Sequence, residues 1–375
     1  METFFLFLQD TGFFNFSIQN VVMMIIGGIF IFLAIKKSYE PLLLVPIGFG
    51  IIVGNTPVPA GIEVGIDAES SVFNALYFGV KTGLYPAMIF LGVGAMTDFS
   101  TLISNPKTII LGAAAQIGVF ITFFVAAIVF KFDTALAAAI GLIGGADGPT
   151  SIYLVSKLAP AYLAPVSIAA YSYMSLVPVI QPPIMKLLTS KKERLIRMPA
   201  PRNVSSREKI FFPIVAFLVS ALIAPGALPL LGLLFLGNLM KESGVTNRLA
   251  KTASTALVDT FTIFIGICVG LSARGDTFLT MESIKIFMLG VVAFAFATAG
   301  GVLFAKFMNL FLKEKINPLI GAAGVSAVPN SARVVQMVGR KEDPDNHLLM
   351  HAMGPNVAGV IGTAIAAGIF LSKFM

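Results

Sequence analysis

Long apolar runs joined by short polar connections fill almost the whole of this 375-residue sequence. Hydrophobic residues make up 57% of the chain and charged residues only 12%, whereas about a quarter of a typical soluble domain is charged. The surface of a folded domain does not shrink fast enough with size to hide so much apolar area from water. Lipid must therefore be the solvent for much of the chain.

The lengths of the apolar runs predict an all-α polytopic membrane protein, because a helix needs about 20 apolar residues to cross a bilayer. Spanning helices are expected near 18–36, 72–97, 108–131, 161–188, 210–224, 253–273, 283–312 and 347–372. Shorter apolar pieces lie near 41–54, 134–146, 149–158, 227–240, 317–328 and 329–339. We expect roughly ten or more transmembrane segments in total.

One polar connection, residues 191–209, holds much of the basic charge. Its cations are Lys191, Lys192, Arg194, Arg197, Arg202, Arg207 and Lys209. Basic residues concentrated in one loop between apolar runs are typical of a cytoplasmic loop, so the net charge of +7 does not indicate nucleic-acid binding. The loop divides the chain into an N-terminal part, 1–190, and a C-terminal part, 210–375. Residues 1–20 lack the pattern of a cleaved signal peptide, and we expect them to be retained.

Two short apolar segments are interrupted by glycine and proline at corresponding places in the two parts. Gly141–Ser151 and Gly321–Ser331 align with an offset of 321 − 141 = 180, which pairs Pro149 with Pro329 and Ser151 with Ser331. Paired interruptions of this kind are typical of transporters built from inverted repeats. We therefore predict two inverted repeats, each with a broken helix at the membrane midplane, at 141–151 and 321–331.

A broken helix at membrane depth implies a polar interior. Proline lacks a backbone N–H and clashes with the preceding turn, and glycine allows irregular backbone. The backbone groups freed in this way survive only when they are buried in protein or face a wet cavity. The carbonyl ends of half-helices also attract cations, so the two breaks predict a cation site between them.

Side chains at the breaks suit sodium. Asp147 lies inside the first break, where it either caps the half-helix that follows or binds a cation; the two roles are compatible. The second break offers Ser326, Asn330 and Ser331, with Asn317 just before it. Oxygen ligands suit hard cations, and one carboxylate with several neutral oxygens matches a single positive charge.

Other polar residues in the apolar runs are open to more than one interpretation. Arg333 either extends to the membrane surface or holds an anion, and Tyr173 is either a packing residue or part of the site. Asn356 lies beside a further Gly-Pro interruption and is the stronger candidate. His347 and His351 have a spacing that predicts one shared helix face, without the acid that would complete a zinc motif.

Four segments, Gly144–Thr150, Tyr173–Met185, Asn317–Pro329 and His351–Gly362, resemble one family along nearly the whole chain. It comprises the beta subunits of the sodium-pumping, biotin-dependent decarboxylases, which act on oxaloacetate, methylmalonyl-CoA or glutaconyl-CoA. The resemblance implies that the chain receives carboxybiotin, releases CO2, consumes a proton and exports sodium. The chain is short for an oxaloacetate-type member, which favours an acyl-CoA enzyme.

The resemblance also implies site residues and partners. The catalytic positions of the family match Asp147, Tyr173, Ser326 and Arg333, and the position that binds the cofactor also matches Arg333. The sodium positions of the family match Asp147, Asn317, Gly321, Ser326 and Asn356. The implied partners are a carboxyltransferase alpha subunit, a biotin carrier protein, a small membrane subunit of the gamma or delta type, and further copies of the chain. The expected location is the bacterial inner membrane.

Two other functions fit the breaks and the apolar runs. A stand-alone sodium-coupled secondary transporter would share both features, and association with a biotinylated carrier would distinguish it. A noncatalytic membrane anchor for a soluble enzyme is the other alternative, although such an anchor has no need of the buried acid Asp147.

Overall fold

This computed structural model describes residues 11–59, 62 and 64–375, which form helices and no strand. Residues 1–10, the first half of the segment that we expect to be retained, lie outside the described residues. The longer helices are α1 Ile18–Lys37, α2 Pro41–Gly54, α3 Val72–Lys81, α4 Leu84–Met96, α5 Lys107–Phe124, α6 Thr134–Ile143, α7 Gly148–Leu158, α8 Leu163–Ser175, α9 Val177–Leu188, α10 Ser206–Ile223, α11 Leu228–Glu242, α12 Asn247–Ser272, α13 Met281–Phe311, α14 Asn330–Glu342 and α15 Leu349–Phe374.

The helices confirm a polytopic all-α membrane protein. By length and composition, five helices in the described part of the chain can cross a membrane, and seven can if each bent pair counts as one span. The five are α1, the helix Lys107–Val129 that extends α5, α12, α13 and α15. The remaining apolar helices are shorter or carry charge near one end, so the total of roughly ten or more spans stays a prediction.

Two of the spans expected to be continuous are sharply bent. The axes of α3 and α4 differ by 63°, and those of the segments 160–175 and 177–188 differ by 66°. Gly83 separates α3 from α4 with a φ of +81°, a left-handed conformation that ends a helix readily only at glycine. Pro178 lies in the first turn of α9, where proline is accepted because that N–H has no helical partner.

Each predicted break lies at the tip of a hairpin. Hairpin 1, residues 134–158, consists of α6, an irregular tip at residues 144–147 and α7. Hairpin 2, residues 317–342, consists of the 3-10 helix Pro318–Gly324, a tip at residues 325–329 and α14. The first arm of hairpin 2 thus differs from the α-helical first arm of hairpin 1.

Helix α13 marks the two ends of the helical assembly. It has 31 residues and so spans roughly 46 Å at 1.5 Å per residue. Arg274 lies just before it and pairs with Asp67 at 3.1 Å. Near the other end, Lys306 pairs with Glu193 in the basic loop at 3.2 Å. We call the end that carries residues 191–209 the basic end, and the other the distal end.

The two hairpins enter from these opposite ends. Hairpin 2 starts at the basic end, where the Asn317 side-chain amide donates to the carbonyl of Arg194 at 2.8 Å, and it returns there, because Glu342 pairs with Arg194 at 2.9 Å. Hairpin 1 has its outer end at the distal end, where Ser156 and Asp67 line one cavity. This arrangement agrees with the predicted inversion, while the common ancestry of the two halves stays a prediction.

The basic end also corrects one expectation. His347 and His351 do not share a helix face, because α15 begins at Leu349 and His347 lies in the connection before it. The turn that follows Asp343 ends α14 and sets this boundary, since Asn346 donates its backbone N–H to the Asp343 carbonyl at 3.0 Å.

Candidate ion-binding cavity at the hairpin tips

The tips of the two hairpins contact each other directly. The backbone N–H of Ser326 donates to the carbonyl of Gly145 at 2.8 Å, and the Ser326 hydroxyl donates to the same carbonyl at 2.9 Å. Ala146, the next residue in hairpin 1, has a φ of +52°. A non-glycine residue in this left-handed region costs free energy that the surrounding packing must supply, and such residues concentrate at functional sites.

Asp147 follows that residue and is buried, with 6% of its surface exposed. Its Oδ1 accepts the backbone N–H of Thr150 at 3.1 Å, so Asp147 caps α7. The hydroxyls of Thr150 and Ser326 also lie beside the carboxylate. An isolated buried carboxylate is costly unless a cation or further donors offset its charge, and the described residues supply no basic partner to it. The cap is therefore present, and its backbone bond uses only one of the two carboxylate oxygen atoms.

A cavity of about 150 Å³ opens beside the carboxylate. Its walls come from hairpins 1 and 2 and from α2, α4, α8, α12 and α15. The lining residues are Leu43, Ile89, Phe90, Val93, Asp147, Pro149, Tyr171, Met174, Thr262, Ser326, Val328 and Val360. The wall is mostly apolar with a few convergent oxygen atoms, which is the usual composition of a small-ligand site.

Several buried oxygen atoms around the tips lack a hydrogen-bond partner among the described residues. They include the Thr150 hydroxyl, the Tyr171 hydroxyl and the Asn356 side-chain carbonyl. A buried polar atom left unpaired costs about 1–3 kcal/mol, and native structures rarely keep several together. A hard cation is the kind of ligand that such oxygen atoms bind, because it needs acceptors and no donors.

Asn356 is joined to hairpin 2 close to the tip. Its side-chain N–H groups donate to the carbonyls of Ala323 at 3.0 Å and Val325 at 2.8 Å, directly before Ser326. It is fully buried within α15. Asn356 therefore fixes the backbone that carries Ser326, while its own unpaired carbonyl oxygen remains available.

The other predicted site residues lie elsewhere in this conformation. Tyr173 donates its hydroxyl to the carbonyl of Phe287 in α13. Asn317 lies at the basic end, and Gly321 packs on α13. Arg333 is exposed on α14, with no ion pair within the described part of the chain. Of the predicted set, only Asp147 and Ser326 line the cavity, and Asn356 is next to it.

The cavity contains residues that the sequence reasoning missed. The Tyr171 ring packs so closely on Gly148 that a Cβ there would lie 2.0 Å from a ring carbon. Tyr171 and Tyr173 are two positions apart, or about 200° around a helix, so only one of them can face the cavity. Gln181, which the sequence reasoning also missed, is buried outside the cavity wall, where it accepts from the Ser331 hydroxyl at 2.8 Å and donates to the Ala322 carbonyl at 2.9 Å. Nothing in one sequence shows which tyrosine faces inward.

Ion pairs connect the basic loop to the returning arm of hairpin 2. Arg197 makes two hydrogen bonds to Asp343, at 2.7 and 3.0 Å, and these bonds hold the pKa of Asp343 below its usual value. Arg194 makes a partly buried pair with Glu342. The basic loop is thus attached to both arms of hairpin 2 at their outer ends.

We expect Asn317→Ala to loosen this attachment. The change removes donors to the carbonyls of Arg194 and Ile196 and the acceptor for the Leu319 N–H, an expected loss of about 2–3 kcal/mol in the free energy of unfolding. Thermal unfolding and protease cleavage within residues 195–205 measure the effect. Asn247→Ala removes an exposed side-chain bond to the Gly244 carbonyl and is the control. Equal behaviour of the two variants would contradict the anchoring role of Asn317.

Two inverted hairpins with touching tips, a buried carboxylate and unpaired oxygen atoms define the class as an ion-coupled membrane transport protein. The model of the Na+-transporting oxaloacetate decarboxylase beta subunit family matches residues 19–374. The chain therefore belongs to this family, the membrane beta subunits of sodium-pumping decarboxylases, and this confirms the resemblance found in the sequence.

Individual relatives support the same assignment. The methylmalonyl-CoA decarboxylase subunit beta of Propionigenium modestum is 53% identical, over 98% of both chains. The glutaconyl-CoA decarboxylase subunit beta of Acidaminococcus fermentans is 54% identical, over 97% of this chain and 96% of its own length. The oxaloacetate decarboxylase beta chain of Haemophilus ducreyi is 47% identical, over 99% of this chain and 98% of its own.

Proposed function

We propose that this chain couples the decarboxylation of carboxybiotin to sodium export, with sodium bound in the cavity at the hairpin tips. The observation that carries the proposal is the contact between Ser326 and Gly145 beside the buried carboxylate of Asp147. Hairpins from opposite ends share one site there, so a rearrangement of either tip changes access from one end of the molecule. Such a site is what alternating access requires.

Asp147 is the proposed charged ligand of sodium. Ser326, Thr150 and the Asn356 carbonyl are the neutral ligands, because their oxygen atoms lie at the two tips or just behind them. Protonation of Asp147 would remove the negative charge that holds sodium, which links proton entry to ion release. Sodium can drive the change of access only by binding the two conformations unequally.

Arg333 is the proposed group that holds the carboxylate of the substrate. It is exposed on hairpin 2, one turn beyond the tip, with no acidic partner among the described residues. A guanidinium group binds a carboxylate through paired hydrogen bonds, so this side chain fits a carboxylated cofactor presented by a carrier protein. Tyr171, rather than Tyr173, is the hydroxyl placed to move a proton at the cavity, since it lines the wall beside Asp147.

An acyl-CoA decarboxylase is the complex that we propose for this beta subunit. The methylmalonyl-CoA and glutaconyl-CoA relatives align over 388 and 365 residues, and the oxaloacetate relative needs an alignment of 428 residues. The proposed partners are a carboxyltransferase alpha subunit, a biotin carrier protein, a small membrane subunit of the gamma or delta type and further copies of this chain. The proposed location is the bacterial inner membrane, with the basic end in the cytoplasm.

Sodium transport without a biotinylated partner is the alternative that the experiment must distinguish. The test is to purify the chain with its native partners, reconstitute the complex in vesicles and add each acyl-CoA substrate in turn. Our proposal predicts sodium uptake that depends on the substrate and stops when avidin blocks biotin. Sodium movement that continues without a biotinylated partner would support the stand-alone transporter.

Ser326→Ala provides a quantitative test of the shared tip. The change removes one oxygen ligand and the hydroxyl bond to Gly145, and we expect the sodium concentration for half-maximal decarboxylation to rise by about tenfold. Ser220→Ala, in α10, removes a similarly buried hydroxyl that bonds only the carbonyls of Ala216 and Phe217 and serves as the control. An unchanged sodium dependence in Ser326→Ala would exclude this hydroxyl from the site.

A further inference from the structure

A second cavity, of about 220 Å³, lies at the basic end, away from the hairpin tips. Three cationic side chains and one histidine reach it from four separate parts of the chain: Lys107 at the start of α5, Arg202 in the basic loop, Lys315 in the connection before hairpin 2 and His351 in the first turn of α15. Glu314 is the one acidic residue of the wall. We call this space the basic-end cavity.

Two of the three cations already have partners within the protein, although only Arg202 is paired with an acid. Arg202 pairs with Glu208 at 2.6 Å, and Lys315 donates to the carbonyl of Leu312 at 2.9 Å. Lys107 and His351, in contrast, have neither an ion pair nor a side-chain hydrogen bond within the described residues. With His351 neutral, the three cations of the wall outnumber its one acidic residue, so the cavity carries net positive charge.

The neighbouring polar groups suit an anion with several oxygen atoms. Thr101, Ser104 and Asn105 contribute hydroxyl and amide groups to the wall. Two long helices, α5 and α15, begin at the cavity, and the positive ends of their dipoles point towards it. A phosphate group, with its charge spread over several acceptor oxygen atoms, matches this arrangement of donors.

The surface next to the cavity is apolar and faces outward. Ile109 and Ile110 on α5 are 46% and 48% exposed, and Leu310 and Phe311 at the end of α13 are both 74% exposed. Ile109 and Ile110 directly follow the lining residue Thr108, and Leu310 and Phe311 directly precede the lining residue Leu312, so this apolar surface begins next to the cavity. Acyl chains could lie along this surface with the headgroup beside Lys107.

We propose that the basic-end cavity binds a phosphate ester. Basic cavities between helices at the cytoplasmic side of a membrane are suited to anionic lipid headgroups, and the apolar border identifies a lipid as the expected source. The site is independent of the sodium cavity, because none of its lining residues contributes to the wall at the hairpin tips.

The test measures thermal unfolding of the purified complex in nanodiscs. In discs of phosphatidylcholine, we expect added phosphatidylglycerol to raise Tm. Lys107→Gln should need about ten times more phosphatidylglycerol for the same rise in Tm, whereas Lys107→Arg should respond like the unchanged protein. Lys192→Gln removes the same charge from the basic end outside the cavity and should behave like the unchanged protein.

A second arm adds inorganic phosphate to the complex in phosphatidylcholine discs. A rise in Tm with phosphatidylglycerol alone identifies the lipid headgroup, and a rise with inorganic phosphate as well identifies a soluble phosphate ester; both outcomes support the site. The proposal is wrong if neither addition raises Tm, or if Lys192→Gln weakens the dependence of Tm on phosphatidylglycerol as much as Lys107→Gln does. Because the measurement requires no sodium transport, its result is independent of the proposed pump.

Discussion

Asp147→Asn is expected to abolish sodium-coupled decarboxylation, lowering the rate at fixed sodium by at least about a hundredfold. The change removes the charged ligand in a buried site, where losing one partner of a charge pair costs about 3 kcal/mol or more, and this corresponds to roughly two decades in affinity. The fold should be retained, because asparagine is as good a helix cap as aspartate and its side-chain oxygen can still accept from the Thr150 N–H. Sodium uptake by reconstituted vesicles measures the loss.

Asp133→Asn is the matched control for that experiment. Asp133 caps the first arm of the same hairpin by accepting from the Ala135 N–H at 2.9 Å, but it is exposed and lies outside the cavity. The same exchange of carboxylate for amide should therefore leave sodium coupling unchanged. Full activity of Asp147→Asn, with a retained sodium dependence, would remove the carboxylate from the mechanism.

Gly301→Ala should cause the largest loss of stability among single-methyl changes in α13. A Cβ at Gly301 would lie 2.0 Å from the carbonyl oxygen of Gly321 and 2.8 Å from its carbonyl carbon. Because the obstacle is backbone, no side-chain rotation can relieve the clash, and the first arm of hairpin 2 must move away from α13. We expect a destabilisation of about 3 kcal/mol or more, at the upper end of overpacking effects, together with weaker sodium binding, measured by thermal unfolding with and without sodium.

Gly28→Ala tests whether that effect comes from the close approach of the two backbones. Gly28 lies inside α1, and a Cβ there would meet nothing within 4 Å. Alanine should be neutral or stabilise α1 by up to about 1 kcal/mol, because it restricts the unfolded chain and favours helix. A Gly301→Ala protein as stable as Gly28→Ala would show that α13 and hairpin 2 are not packed through these glycines.

The sequence predicted the helices and both breaks because these depend on local chemistry. Apolar length identified the five helices that can cross a membrane. At the breaks, α7 begins beside Pro149, and α14 begins at Asn330, directly after Pro329. The alignment of the two breaks also predicted that their tips would belong to one site, and the contact of Ser326 with Gly145 agrees with this. The backbone preferences of glycine and proline follow from residue identity alone, so a sequence is enough to predict where they interrupt a helix.

Contacts that depend on the rotation or bending of distant helices could not be predicted in this way. Residues near Gly83 and Leu176 indicate that the chain can bend there, but they do not set the angle between the two helices. The choice between Tyr171 and Tyr173 depends on the rotation of α8 about its axis relative to hairpin 1. Asn317 looked like an ion ligand because of its sequence position, yet its side chain holds the basic loop. The polar side chain of Asn317 therefore attaches hairpin 2 to the basic loop in this conformation.

Protection of the cavity by sodium is the most direct test of the shared site. Cys268 is the only cysteine in the chain, so a Cys268→Ser, Val328→Cys protein carries one thiol, in the wall of the cavity at the tip of hairpin 2. We expect sodium to slow its alkylation by a small thiol reagent, potassium at equal ionic strength to have no effect, and Asp147→Asn to remove the protection. Equal alkylation rates in sodium and potassium, in a complex that still pumps sodium, would show that the ion binds elsewhere.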